Sequence, residues 1–132
     1  MSVAAARELV KRKKKTPTET AVPLLLQQIK ALRLPEPVTE YQFHATRMWR
    51  FDVCWPAYRL ACEIDGGGFI PGGGRHSRGP GIESDCEKAA EAALLGYRII
   101  RTTPRQVKKG ITVAWLERMF LKLPTPTGAP KC

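Results

Sequence analysis

Residues 50–67 read RFDVCWPAYRLACEIDGG, and this stretch limits the fold more than any other. RFDVCW and YRLACEID have the residue types of strands, and Pro56–Ala57 supplies a tight turn between them, so the stretch predicts an antiparallel hairpin. The strands are mostly apolar, yet they carry Asp52, Glu63 and Asp65. A turn centred between Ala57 and Tyr58 puts Asp52 directly opposite Glu63. Side chains so placed lie about 5 Å apart, where like charges destabilise a sheet. Alternation puts Glu63 and Asp65 on one face and Leu60, Cys62 and Ile64 on the other. Three acids therefore converge at the strand ends.

The flanking sequence extends this hairpin into a domain. TPTETAVPLLLQQIKALRL predicts a first helix with Leu25, Ile29 and Leu32 at helical spacing; Thr18 or Thr20 is the expected cap, and Pro23, tolerable only in a first turn, argues for a start near Thr20. TEYQFHA alternates Tyr41 and Phe43 with polar residues as a half-buried strand does. GGGFIPGGGRHSRGPG, with eight glycines in sixteen residues, predicts a mobile loop carrying Arg75, His76 and Arg78. ESDCEKAAEAALLG predicts a helix closed by Gly96, with Glu83 and Asp85 serving its N-terminus. YRIIRT is a further strand. Thr103 and Pro104 then cap and start a helical segment, and ITVAWLERMFLKL gives a last amphipathic helix. The expected fold class is α/β: an α-β-β-β-α-β order with an extra C-terminal helix, packed as a mixed four-stranded sheet flanked by helices. The predicted organisation is a basic flexible arm over residues 1–16, one domain over 17–123 and a proline-rich disordered tail over 124–132.

A chain of 132 residues is the size of one domain. Its 22 Lys and Arg against 12 Asp and Glu give a net charge of +10. That excess points to a polyanionic partner, since each phosphate contact releases a condensed counterion. DNA is the expected partner. Lys13, Lys14 and Lys15 of the arm, Arg75 and Arg78 of the glycine loop, and Arg105, Lys108 and Lys109 after the last strand are the candidate DNA-binding residues. The four cysteines, 54, 62, 86 and 132, form no C-x-x-C pair; with only His44 and His76 beside them, they do not have structural-zinc spacing. Cys54 and Cys62 fall inside strands and read as buried thiols. No apolar run approaches the roughly 20 residues that span a bilayer, so no membrane partner is expected. In MSVAAARELVKRKKK the basic run follows the small residues and no apolar core comes next, which is the wrong order for a signal peptide.

Pairing with Arg50 or Arg59 would be the ordinary use of the clustered acids. It does not account for acids gathered on inner strands of a basic protein beside a glycine-rich loop. A divalent cation does: Mg²⁺ (or Mn²⁺) takes one or two carboxylates together with water and substrate phosphate. Asp52, Glu63 and Asp65 are the candidate ligands. A basic surface that recruits a phosphate backbone and a carboxylate pair that holds a cation against one phosphate together suit phosphodiester hydrolysis.

RFDVCWP…YRLACEIDGG resembles the D-x(n)-E-x-K core of the PD-(D/E)XK nuclease superfamily. The longer pattern EIDGG…GRH…D…K…LLGYRIIR is similar to the small branch that includes very-short-patch-repair-type endonucleases and related phage and bacterial proteins. The likeness covers about residues 18–105. It implies a restriction-endonuclease-like core and a divalent-metal-dependent DNA endonuclease in the cytoplasm of a bacterium or phage-infected cell. One position departs from the pattern: Asp65 stands where the motif lysine is expected. Lys88 is one replacement, since relatives sometimes carry the lysine on the following helix; His76 is the other, as a proton acceptor from the attacking water. Glu19 is a further candidate, because related nucleases bring a first-helix glutamate to the metal; capping its own helix is the simpler role, and Glu40 is a weaker competitor. The second functional reading is a non-catalytic DNA-binding module with a decayed nuclease site. Nicking, mismatch and junction cleavage stay open as activities. Junction cleavage would require a homodimer, although the apolar face of the last helix (Ile111, Trp115, Leu116, Met119) reads as core.

Overall fold

The computed structural model describes residues 14–66 and 79–126. The chain runs α1 (Pro17–Ala31), β1 (Val38–Gln42), β2 (Arg50–Trp55), β3 (Leu60–Ile64), α2 (Gly79–Leu94), β4 (Arg98–Thr102), α3 (Pro104–Lys108) and α4 (Ile111–Lys122). The strands form one mixed sheet in the order β1-β2-β3-β4, antiparallel except for the parallel β3–β4 pair. Among the described residues no helix is long and apolar enough to cross a membrane.

The sheet has a packed face on each side. On one, Val53, Trp55, Leu60, Cys62 and Ile64 join Ala21, Leu25 and Ile29 of α1, Val107 of α3 and Val113 and Leu116 of α4. On the other, Phe43, Phe51, Cys54 and Ala61 join Ala92 of α2 and Tyr97. Phe43 stacks on Phe51 with ring centroids 4.0 Å apart. Burial pushes both Cys54 and Cys62 up to about 12, which makes them inert packing groups, as their strand positions imply.

Several local signals act as the sequence predicts. Thr103 caps α3 through a capping box with Gln106, and Pro104 follows at the first position. Gly96 takes φ 83°, and the Gly96 and Tyr97 N–H groups bond back to Ala93 and Ala92, closing α2. The turn after β2 is a single 3-10 turn, Pro56–Tyr58, completed by Arg59 in the left-handed region. It sets the expected register, with Val53 opposite Cys62 and Trp55 opposite Leu60.

Three expectations are corrected. Helix α1 starts at Pro17, not near Thr20, so Pro23 lies inside it. Thr16 accepts the Glu19 N–H and Glu19 accepts the Thr16 N–H, a capping box that offsets the donor lost at Pro23. Thr16 therefore belongs to the domain rather than to the arm. Helix α2 begins at Gly79, ahead of the expected start, so both Glu83 and Asp85 lie beyond its first turn and neither serves its N-terminus. Strand β1 ends at Gln42, short of the expected His44–Ala45; Glu40 within it is exposed and takes φ 50°, and the unbroken β1–β2 register leaves it opposite Asp52 without a ladder pair.

Candidate functional site

The site begins where β2 and β3 part. Their ladder ends at Val53–Cys62, one step short of Asp52 and Glu63. The Ile64 N–H is instead met by a side chain: it donates to Asp52 Oδ2 at 2.8 Å. Asp52 thus holds the strands together where backbone pairing stops. An Asn there keeps an acceptor, whereas an Ala leaves a part-buried N–H unmet. Asp52→Asn is therefore expected to melt near wild type, and Asp52→Ala to lose about 1–2 kcal/mol; chemical denaturation of the two variants checks the difference.

Glu63 projects from the face that α2 covers. Lys88, on α2, donates from Nζ to Glu63 Oε1 at 2.9 Å and to the Arg50 carbonyl at 2.8 Å. Its ammonium also lies 5.6 Å from the Phe51 ring centroid. Lys88 and Glu63 are 22% and 23% exposed, so the pair is largely screened from water. Burial raises the Glu63 carboxyl above its ordinary range; the Lys88 charge and hydrogen bond oppose this, and the Asp52 charge adds to it. The Asp52 charge thus acts against the ionised Glu63 in the expected direction, and a side-chain ammonium opposes it without any added ion. Lys88 is not a solvated helical lysine.

A cavity of about 320 Å³ opens beside this pair, lined by Thr18 of α1, Glu63 to Gly66 of the β3 end, Asp85, Lys88 and Ala89 of α2, and Ile99 and Arg101 of β4. It sits past the carboxyl ends of the two parallel strands, the usual place for a ligand in an open α/β sheet. Parallel pairing sets Arg101 opposite Glu63, and Arg101 bonds Asp65 at 3.3 Å. Gly66 is required by close approach: a Cβ there would stand 2.5 Å from Thr18 Oγ1. Gly66→Ala is expected to cost about 1 kcal/mol by displacing Thr18, and Thr18→Ala in the same chain to recover most of it, measured by thermal melting.

The structure brings Asp52, Glu63, Asp65 and Lys88 to one end of the sheet. Glu19 is engaged in the α1 capping box. Lys14 and Lys15 are exposed just before that helix, whose Thr18 lines the cavity. Arg105, Lys108 and Lys109 are exposed on and just after α3, whose Pro104 approaches Gly66. Lys13, Arg75, His76 and Arg78 lie outside the described residues. Two charged lining residues, Arg101 and Asp85, were not among the sequence candidates. Arg101 could have been found from the alternation of YRIIRT, and Asp85 from its position three residues before Lys88 on one helix face.

Among the described residues no group of three or more His, Cys, Asp and Glu is close enough to hold a metal ion. Mg²⁺ needs less: one or two carboxylates, with water and phosphate completing its shell. Asp52 and Glu63 fit that smaller demand, because they are two neighbouring acids, one of them desolvated beyond what its lysine offsets. No family model matches the chain, and neither a curated protein nor a solved structure matches it.

Proposed function

We propose that the protein is a divalent-metal-dependent DNA endonuclease of the PD-(D/E)XK type, with its α-β-β-β-α-β order as that fold's core. The observation that carries this reading is Lys88. It reaches from α2 to within 2.9 Å of Glu63, beside Asp52, and so stands in for the motif lysine that Asp65 displaces. Asp52 and Glu63 would hold Mg²⁺ or Mn²⁺, which when bound supplies charge neutralisation at the phosphate and lowers the pKa of water. Lys88 holds the Glu63 carboxylate in place. With two of its three N–H donors committed to protein, it keeps one for a phosphate oxygen. Arg101 and the basic surface hold the DNA backbone against the cavity.

Incubating supercoiled plasmid with the protein and Mg²⁺ or Mn²⁺ tests the reading: nicked or linear product that EDTA suppresses is the expected result. DNA bound but never cut, with either metal, would favour the decayed binding module instead. The absence of a three-ligand cluster among the described residues is the observation on that module's side. Under both readings affinity comes from the +10 charge. Binding is therefore expected to weaken steeply between roughly 50 and 200 mM salt, as electrophoretic mobility shifts would record.

A further inference from the structure

A second groove lies on the far side of Arg101. It has a volume of about 360 Å³ and is lined by Ile100, Arg101, Trp115, Arg118, Met119 and Lys122. Four of these follow the i, i+3, i+4, i+7 spacing of one helix face. The fully buried residues of α4 are Thr112, Val113 and Leu116; the stripe lies beside them, with its Met119 and Ile100 of β4, the last strand of the sheet, packed against the same core. Trp115 is half-buried, whereas Arg118 and Lys122 are exposed. Among the described residues neither cation has an ion-pair partner, and no acid lines the groove.

We propose that this groove holds an unpaired DNA segment next to the scissile phosphate, so that the substrate class is DNA with a single-stranded portion, such as a flap, overhang or bubble. The inference rests on the nuclease reading for the word substrate, and Arg101 carries the connection, since it lines both the candidate site and the groove. The chemistry is that of a single-strand track. An indole and a thioether offer a sequence-tolerant surface for a base, and cations flanking them meet the phosphates on either side. A second copy of the chain is the other occupant an edge strand invites. Arg118 and Lys122, two cations without an ion-pair partner among the described residues, on a chain of net charge +10, repel that partner and attract a polyanion.

The test is fluorescence anisotropy of a labelled single-stranded oligodeoxynucleotide and of a blunt duplex of equal length, in EDTA so that cleavage plays no part. Arg118→Glu with Lys122→Glu is expected to weaken single-strand binding about tenfold or more and to lower its log–log salt slope by about 1.4, with a smaller loss on the duplex. Trp115→Leu, which keeps the apolar packing, is expected to weaken only the single strand and to leave the salt slope unchanged. Equal losses on both DNAs, or no loss, would overturn the track. Failure of the nuclease reading has a separate signature: wild type that binds the single strand through these residues yet cuts nothing when metal is added.

Discussion

Glu63→Gln is expected to abolish metal-dependent cleavage, by about 10³-fold or more, while raising the melting temperature of the metal-free protein. The two effects share one cause. The folded protein holds the Glu63 carboxyl in a site that raises its pKa, mainly by burial. A group more easily protonated when folded favours folding at low pH. That contribution is complete below its ordinary value of 4.5 and is lost as pH rises through the raised folded value. At neutral pH the ionised carboxylate is therefore a net cost, and a neutral amide of the same shape removes it while still accepting from Lys88. Metal-free wild type should gain stability as pH falls from neutral toward 4.5, and the variant should lack that gain. Calorimetric melts across this range, beside plasmid cleavage at pH 7, check both claims. A purely structural ion pair predicts the reverse: a lower melting temperature and intact cleavage.

Removing the other half of the pair is expected to have the second-largest effect, with the opposite sign on stability. Lys88→Met keeps much of the aliphatic stem but strips a desolvated carboxylate of its counter-charge. The expected loss is about 1–3 kcal/mol, less than the roughly 3–5 of a fully buried pair because both groups keep about a fifth of their exposure. Cleavage should fall about 10²-fold or more, since a charge that stabilises the transition state is gone. Adding Glu63→Gln to Lys88→Met should restore stability to wild type or above, because no charge is then left uncompensated, yet cleavage should stay lost. Urea titration and cleavage well below the melting temperature separate the roles. A Lys88→Met protein that cuts normally while folded would leave the lysine a structural part only.

How much of this was legible beforehand follows from the range of each interaction. The β2–β3 register, the Thr103–Pro104 start of α3 and the Gly96 stop of α2 are set by residues within a few positions of one another, and the sequence states them outright. The start of α1 is local too, yet Pro23 misled: its lost hydrogen bond argued for a later start, while the Thr16–Glu19 box and the burial of Ala21, Leu25 and Ile29 outweighed it. Asp52, Glu63 and Asp65 could be gathered from alternation in one hairpin. Their partners were legible only in part: the resemblance named Lys88 as one replacement for the motif lysine, and Arg101 was not singled out. Lys88 and Arg101 reach the site only because α2 crosses over one face and returns β4 parallel to β3, setting Arg101 opposite Glu63. The sequence alone determined which acids share a strand end, because pleat and turn are short-range geometry. Which cations meet them, and which groove adjoins them, was decided by how helices and a crossover strand bury their apolar faces together, a property of the whole chain that no single window contains.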